Sequence, residues 1–590
     1  MDIQAPIGSH MLKWLKPRNR KGQQFYNGVA KLARIARKRP YSTPVLFLVI
    51  KHYADRFGIV DYINRIINWD EKQWKISPGI LGLSIIYLCF LSEEGRIPLY
   101  KIPDHMRGLD LTLLFGQPFH PEDFNDDLYA TFLERLGEIG SLGILGGIAD
   151  QVYHLFTMPQ SRDLNSDTTS HVMYGTYPDC DGKDYPGLVI TNGHSKAHRP
   201  DRKQIKTGLI VDGNGVVRLV RVLDGNESDS TWNTMAIKEL KIKLGDDIDK
   251  HTIIADSKFV SLPNLREVNS SAKPVIFISL VPSSFFKKLS TKVRTLAYEK
   301  GDWVDLGKCC QNTQAKDRAT YAVQSFDNEI EGNTYRLLAV KTTSSESTIQ
   351  HRLETEQSDV IAMVHDAFSK SFACVPDAED AIKKFQTKTK NAYFKTSLEI
   401  VPIEKEKLYR GKKPEVPREK EIVTRYQVQL RDVIPDVQRI EQYKRSEESF
   451  VLITNVPHAE LSDRDILVKY KSQGVVERAF SRLKRPMMVN TLFLKKPDRV
   501  EGIMALVYVA LLFQSIMQAM ARHRVKVLGE LPKIKYAKRK LDEPTYDLLA
   551  YLLTPFEVLS SEESMEVSCL VPELEEHLNL LLYLVDAENC

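Results

Sequence analysis

The stretch YKSQGVVERAFSRLKRP, residues 470–486, decides the fold. It predicts the last turns of a helix that begins near Ser462, where Ser-Asp-Arg-Asp supplies an N-cap and acids in the first turn. Because positions seven and fourteen apart share a face of an α-helix, Tyr470, Glu477 and Lys484 line one side. A carboxylate between an aromatic ring and an ammonium group suits a metal ligand beside a phosphodiester. The alternative is a solvated face of an ordinary amphipathic helix.

The composition indicates a soluble globular protein. A chain of 590 residues predicts roughly three or four domains, and 43% hydrophobic with 27% charged residues argues against a disordered chain. The odd number of cysteines, without a CxxC pair, indicates a reducing, cytoplasmic compartment and neither a disulfide framework nor a zinc site. We expect no signal peptide in MDIQAPIGSHMLKWLK and no membrane span in the apolar run 502–513, which is too short.

A basic segment precedes the first predicted domain. Residues 11–40 hold ten lysines or arginines and no acid, and the pattern at 29–36 predicts a helix with one basic face. Two interpretations of residues 1–42 stay open, an arm that contacts phosphates and a merely solvated face.

Residues 43–155 predict an all-helical domain. Thr43-Pro44 and Ser77-Pro78 each resemble an N-cap followed by proline at the first helical position. Asn125 starts a further helix, whose apolar residues are Leu128, Phe132, Leu133 and Leu136. A helical domain of this kind is compatible with binding DNA ends but does not require it.

From about residue 163 the pattern changes to strands. The segment DLNSDTTSHVMYG sets Asp167 among β-forming residues, and Asp-Gly-Asn-Gly at 212–215 joins two β-rich runs as a hairpin. The further predicted elements are strands at 205–211, 216–222, 252–256 and 273–280, and a helix over about 230–244. A hairpin, a helix and then a strand that ends on an acid, Asp256, follow the order expected of a ribonuclease-H-like fold.

Three acids are the candidate catalytic residues. Two-metal phosphoryl transfer uses carboxylates that bridge two Mg²⁺ roughly 3.5–4 Å apart. Asp167 on the first strand, Asp256 at a later strand end and Glu477 on a helix supply such a set. The separation of 221 positions between Asp256 and Glu477 leaves room for an inserted domain.

The remaining segments complete the predicted organisation. The pattern predicts an antiparallel β insertion from about residue 294 to 340 and helices over residues 347–389. A strand is predicted at 421–431, after a basic linker at 405–420. Pro497 opens a long apolar helix to about Arg524 that covers the core. The acidic, leucine-rich end of the tail suits either dimerisation or docking within the chain.

These patterns predict an α/β protein with a ribonuclease-H-like catalytic core, a β-rich insertion, a helical N-terminal domain and helices after the core. The predicted boundaries are 1–42 for the basic arm, 43–155 for the helical domain, which is compatible with binding DNA ends, 156–290 and 446–526 for the two parts of the core, 291–445 for the insertion and 527–590 for the tail.

The chain resembles the DDE transposases of bacterial insertion sequences, in the insertion-sequence-four superfamily and its branch numbered sixteen thirty-four. The resemblance covers roughly residues 55 to 525, and its motifs, in order, are Ser77-Pro78-Gly79, Asn125-Asp126-Asp127, Asp167-Thr168-Thr169-Ser170, GHSKAHRPD at 193–201 before Gln204, Gly225-Asn226-Glu227-Ser228-Asp229, Ala255-Asp256-Ser257, FVLITN at 450–455, YKSQ at 470–473 and VERAF at 476–480. The superfamily's third motif is Tyr-x2-Arg-x3-Glu-x6-Lys. Tyr470, Glu477 and Lys484 fit it, while Gln473 occupies the arginine position.

The resemblance implies a metal-dependent DNA recombinase. Asp167, Asp256 and Glu477 would hold two Mg²⁺, for which Mn²⁺ can substitute. Water would attack the DNA at each element end, and the freed 3′-hydroxyl would attack target DNA. Two subunits would synapse two ends, and relatives release the element through a hairpin that needs a flipped base.

The same resemblance implies contacts with double-stranded DNA, both element ends and target. The residues expected to contact it are Tyr470, Gln473 and Lys484 of the third motif, the weaker candidates Lys196 and Arg199, and Trp303, which would stack on a flipped base. A tryptophan in an insertion is more often a packing residue. Two other classes stay open, a host nuclease of the same fold and an inactive transposase derivative that only binds DNA.

Overall fold

The structure, a computed structural model, describes residues 41–91, 98–177, 187–282, 286–309, 319–389, 393–407, 421–485, 494–529, 534, 541–561 and 564–588. The basic segment 11–40 and its predicted helix lie outside these residues. The chain divides into two units, of which the second comprises residues 280–468 and is inserted between two parts of the first, up to Ser279 and from Lys469 onward.

Helices build the first unit up to residue 155. After strand β1 (Tyr41–Pro44) they are α1 (Val45–Arg56), α2 (Ile59–Ile66), α3 (Pro78–Leu88), α4 (Ile102–Met106), α5 (Leu111–Phe115), α6 (Asp126–Ile139), α7 (Ser141–Ala149) and α8 (Val152–Leu155). The N-caps predicted at Ser77 and Asn125 are confirmed, since each side chain accepts a backbone N–H of the first turn. The cap at Thr43 is wrong, because Thr43 lies in β1 and its Oγ1 accepts from Asp110 N at 3.0 Å.

A mixed sheet follows in the first unit. Its strands are β2 (Asp163–Val172), β3 (Gln204–Asp212), β4 (Val217–Leu223), β5 (Thr252–Ala255) and β6 (Ile276–Leu280), with α9 (Asp229–Leu244) and α10 (Leu262–Val268) between them. The strand order is β4-β3-β2-β5-β6. The first three strands pair antiparallel, whereas β2, β5 and β6 pair in parallel. The hairpin predicted between β3 and β4 is confirmed, and Gly215 supplies its positive φ of 85°.

The second unit contains two groups of strands. Its elements are α11 (Lys287–Lys300), β7 (Val304–Gly307), β8 (Tyr321–Ile330), β9 (Asn333–Thr342), α12 (Glu346–Ala367), α13 (Val375–Lys388), β10 (Phe394–Glu406), β11 (Ile422–Pro435), α14 (Val437–Glu447) and β12 (Ser449–Thr454). Strands β12, β9, β8 and β7 pair antiparallel in that order, and β10 pairs with β11. The predicted start of β structure near Arg294 is wrong because α11 occupies that segment, and β10 was not predicted.

The chain returns to the first unit through α15 (Asp463–Lys471), followed by α16 (Gly474–Leu483) and α17 (Pro497–Leu528). The long helix predicted from Pro497 is confirmed. Among the described residues α17 is the one helix long and apolar enough to cross a membrane, but 89% of its apolar window is buried inside the protein. It therefore serves as a core helix.

The C-terminal tail also packs into the first unit. It contains α18 (Tyr546–Leu553), β13 (Phe556–Ser560), β14 (Met565–Cys569) and α19 (Leu578–Leu584). Strand β13 pairs with both β1 and β14. The side chains of Leu581 and Leu584 are fully buried, and Tyr53 donates a hydrogen bond to the carbonyl of Val585. Of the two interpretations of this leucine-rich end, docking within the chain is the one observed.

Candidate active site

Asp167 and Asp256 lie next to each other in the sheet of the first unit. The last parallel pair of β2 and β5 is Ser166 with Ala255, so each aspartate is the next residue along its strand. Adjacent strands are about 4.8 Å apart. Burial raises the pKa of Asp256, and the negative charge of Asp167 raises it further. The two carboxyl groups therefore share one site.

Hydrogen bonds fix Asp256 at its strand end. Its Oδ1 accepts from Lys258 N at 3.0 Å, which makes Asp256 the cap of the short turn that follows β5. Its backbone carbonyl accepts from Ser279 Oγ at 2.7 Å, and Ser279 belongs to the neighbouring strand β6. The carboxylate is thus held at the carboxyl edge of parallel strands, where α/β sheets bind their ligands.

The ammonium group of Lys196 lies at the same edge. β2 continues to Val172 beyond the end of β5, and here the Thr168 carbonyl accepts from Lys196 Nζ at 2.7 Å. The same Nζ donates to Thr168 Oγ1 at 2.9 Å and to Asp167 Oδ1 at 3.2 Å. Lys196 is therefore a direct partner of the first candidate metal ligand.

A further acid, Asp229, completes this group, and in the sequence it is the last residue of the motif Gly225-Asn226-Glu227-Ser228-Asp229. It opens α9, where Ser228 is the N-cap. Its Oδ1 accepts from Thr168 Oγ1 at 2.7 Å, and its carboxylate lies 3.7 Å from Lys196 Nζ and 3.6 Å from Lys206 Nζ. Burial opposes its ionisation, but the Lys196 charge, the Thr168 hydrogen bond and Lys206 together lower the pKa of Asp229. In the sequence, the signal that could have found Asp229 is an acid that directly follows a serine N-cap.

The third motif is carried by two helices rather than the single predicted helix. Between α15 and α16, Ser472, Gln473, Val475 and Val476 each donate a backbone hydrogen bond three residues back instead of four. Ser472 Oγ also donates to the Lys469 carbonyl at 2.7 Å, and Gly474, a weak helix former, follows. A three-residue turn advances about 120° per residue and an α-helix about 100°, so the faces of the two helices no longer coincide.

The three motif residues differ in burial. Burial raises the pKa of Tyr470 to about 12, and Asp256 is close enough to contribute. Desolvation lowers the pKa of Lys484, the nearby Lys196 lowers it further, and Asp167 opposes both. Glu477 lies on the exposed side of α16, which packs against β2 and β3.

The structure brings together two of the three predicted acids. Among the described residues, no three acidic, histidine or cysteine side chains form a group that could hold a metal ion. Asp167 and Asp256 are adjacent, and Glu477 is an exposed residue of α16. The expected convergence of three carboxylates is therefore not seen in this arrangement.

The other predicted DNA contacts lie in three different settings. Gln473 is at the break between α15 and α16, as the residue before α16. Arg199 is exposed and donates two hydrogen bonds of 2.8 Å to the Asp201 carboxylate. Trp303 belongs to the second unit, where its ring packs edge-on against Tyr298 at 5.4 Å.

The donor set fits a hard divalent cation. Asp167 and Asp256 offer carboxylate oxygens, the ligands that Mg²⁺ and Mn²⁺ prefer. The Lys196 ammonium lies 3.2 Å from Asp167 Oδ1, so positive charge is already accommodated beside this carboxylate. These two acids can hold a metal ion together, and Glu477 would have to join them to complete the predicted set.

Comparison with known proteins identifies the family. Residues 181–513, more than half of the chain, match the family model for the transposase DDE domain. The chain belongs to the DDE transposase family. The match includes Asp256 and Glu477 but begins after Asp167. Residues 46–150 of the transposase match a domain of unknown function.

Other comparisons are more distant. A cryo-EM structure of a piggyBac transposase synaptic complex with hairpin DNA aligns over 88% of this chain and 82% of that chain, with 12% identity and a TM-score of 0.36. A likeness at this level assigns neither fold nor activity. No curated protein matches the transposase. The branch of the insertion-sequence-four superfamily stays a prediction.

Proposed function

We propose that the transposase binds the terminal inverted repeats of a bacterial insertion sequence, cleaves the DNA ends and joins them to target DNA by cut-and-paste transposition. One observation carries the proposal: Asp167, within β2, lies beside Asp256, which directly follows the end of the parallel strand β5. The strand order β4-β3-β2-β5-β6, antiparallel then parallel, supports a ribonuclease-H-like catalytic core. The match to the transposase DDE domain supports strand cleavage and transfer as the chemistry.

Asp167, Asp256 and Glu477 would hold two Mg²⁺, or Mn²⁺ in its place. When bound, these ions would supply the charge that activates the attacking oxygen and stabilises the leaving one. Asp256 is held by Lys258 and Ser279, so its carboxylate is oriented before any ligand binds. Glu477 is carried by α16, which packs on β2 and β3, and its exposure leaves it free to turn toward the pair.

Residues around the acids would orient the DNA. Lys484 lies near Asp167 and Tyr470 near Asp256, which suits contacts with phosphates on either side of the cut. Gln473, Lys196 and Arg199 are further proposed phosphate contacts. Trp303 in the second unit would stack on a flipped base, and residues 1–42 would add a basic arm. A homodimer would bring two element ends into one synaptic complex.

The test compares Asp167→Asn, Asp256→Asn and Glu477→Gln with the unmodified transposase on duplexes that carry the inverted repeats flanking its gene. Each neutral variant should bind the repeat DNA normally in a gel-shift assay but cut it no faster than background in Mg²⁺. Asp247→Asn is the matched control, since Asp247 is an exposed acid that precedes β5, whereas Asp256 follows it. This control should cut at the normal rate.

The outcomes separate the candidate functions. Full Mg²⁺-dependent cleavage by one of the three variants would remove that residue from the proposed catalytic set. Cleavage that ignores the terminal sequence would favour a nuclease of the same fold. Tight repeat binding without cleavage by the unmodified protein, in Mg²⁺ or Mn²⁺, would favour an inactive DNA-binding derivative.

A further inference from the structure

All three N–H donors of the Lys196 ammonium are used at the candidate active site. A lysine ammonium has three donors and no acceptor. Here they are directed to Asp167 Oδ1 at 3.2 Å, the Thr168 carbonyl at 2.7 Å and Thr168 Oγ1 at 2.9 Å. A second carboxylate, Asp229, lies 3.7 Å away. The ammonium thus has a complete set of oxygen partners, and one of them is a proposed metal ligand.

The segment that carries Lys196 is fixed to the sheet. The backbone N–H of Lys196 donates to Ser170 Oγ at 3.0 Å, and Ser170 lies on β2 three residues beyond Asp167. On the same segment the His194 carbonyl accepts from Gln204 Nε2 at 3.1 Å, at the start of β3. Lys196 is therefore positioned by the fold rather than drawn from solvent to the nearest acid.

Solvent can still reach the pair. The side chains of Lys196 and Asp167 are each 30% exposed, while that of Asp229 is 16% exposed. An ammonium that leaves Asp167 therefore keeps Asp229 as a counter-charge and does not have to be stranded without a partner. Asp229 is not one of the proposed metal ligands, so an ammonium that moves from Asp167 to Asp229 does not occupy another metal ligand.

We infer that Lys196 is a built-in counter-ion of the catalytic carboxylates, which a divalent cation must displace from Asp167 when it binds. The inference rests on the proposed function, because it takes Asp167 as a metal ligand. A DNA phosphate at the site would give the displaced ammonium a second anionic partner. DNA and metal would then favour each other's binding, since such coupling is reciprocal.

The test measures Mn²⁺ binding by calorimetry with full-length transposase and no DNA. Lys196→Met keeps the length of the side chain but removes the charge, and should bind Mn²⁺ about tenfold more tightly because no charge-assisted hydrogen bond has to break. Lys196→Arg keeps the charge and should show no such gain. Lys203→Met is the matched control, since Lys203 Nζ donates to the Tyr177 carbonyl, and its affinity should be unchanged.

The outcomes for the inference and for the proposed function differ. Equal Mn²⁺ affinity of Lys196→Met and the unmodified protein would overturn the inference alone, provided that Asp167→Asn weakens binding. Mn²⁺ binding that ignores Asp167→Asn would instead refute the metal site. If Lys196→Met does not fold, the inference can be tested by measuring how readily the amine of Lys196 is acetylated in the unmodified transposase. Mg²⁺ should increase labelling of Lys196 relative to Lys203, and an unchanged ratio would overturn the inference.

Discussion

The crossing of α6 and α17 gives a sharp stability prediction for Gly137→Ala. A Cβ atom on Gly137 would lie 2.0 Å from the Asp498 carbonyl oxygen and 2.7 Å from its carbon. One turn away, a Cβ on Gly502 would lie 2.3 Å from the Leu133 carbonyl oxygen. Both obstacles are backbone atoms, so no side chain can rotate to make room. The two helices touch because both positions are glycine.

The magnitude follows from two opposing effects. Glycine to alanine inside a helix normally stabilises by about 1 kcal/mol. Here an ordinary contact of about 3.4 Å requires the helices to separate by roughly 1.4 Å, and overpacking of this kind costs about 1–3 kcal/mol or more. Since α17 is a fully packed core helix, we expect the cost to lie at the upper end. Gly137→Ala should therefore lower the free energy of unfolding by about 2 kcal/mol.

Urea unfolding followed by circular dichroism measures this change. Gly146→Ala is the control, because Gly146 lies in α7 and its Cβ would meet only the end of Lys243 at 3.6 Å. It should keep or raise stability. The double variant Gly137→Ala with Gly502→Ala should cost less than the sum of the two, since one separation of the helices relieves both contacts. A Gly137→Ala protein as stable as the unmodified one would refute this reasoning.

Two further predictions concern pH and the tail. Burial raises the pKa of Asp212 to about 6, so the folded protein binds a proton at Asp212 more tightly than the unfolded chain does. The stability that this proton contributes is fully present below the unfolded pKa of about 3.9 and is lost as pH rises through 6. The stability of the unmodified protein relative to Asp212→Asn should therefore fall by about 2 kcal/mol between pH 4 and pH 7 in urea titrations, and parallel pH curves would contradict this. Arg485, just after α16, donates to Asp547 at the start of α18, and both side chains are nearly half exposed. Asp547→Ala should cost less than about 1 kcal/mol yet slow DNA cleavage, and the swap Arg485→Asp with Asp547→Arg should restore the rate. A cleavage rate unchanged by Asp547→Ala would show that the Arg485–Asp547 ion pair does not contribute to cleavage.

Local sequence patterns predicted much of the fold. Alternation and turn chemistry located β2, the hairpin of β3 and β4, and the strand before Asp256, because each of these elements has its own short-range signal. Cap residues located α3 and α6 for the same reason. The strand β10 escaped prediction since its side chains are mostly part-exposed and show no apolar alternation. The cap at Thr43 failed because a distant residue, Asp110, uses its hydroxyl.

The candidate site was predictable only in part. Asp256 was predicted at the end of a strand, and Asp167 lies on the neighbouring parallel strand, directly after the last residue that pairs with β5. The prediction that Tyr470, Glu477 and Lys484 share one face depended on helical phase over fourteen residues. The turn at Ser472, whose backbone hydrogen bonds reach three residues back instead of four, interrupts that phase. The partnership of Lys196 with Asp167 and Asp229 joins three separate segments through side-chain hydrogen bonds. No local pattern encodes such a contact.

The pairing of β1 with β13 sets an order on biosynthesis. Residues 41–44 find their partner strand only when residues 556–560 have been synthesised, whereas all of residues 280–468 emerge well before. Domains fold as units while the ribosome is still translating. We therefore expect the inserted unit to be complete on the nascent chain before β13 of the surrounding unit has been synthesised. Synthesis of β13, rather than of any one acid, is then the step that lets β1 pair.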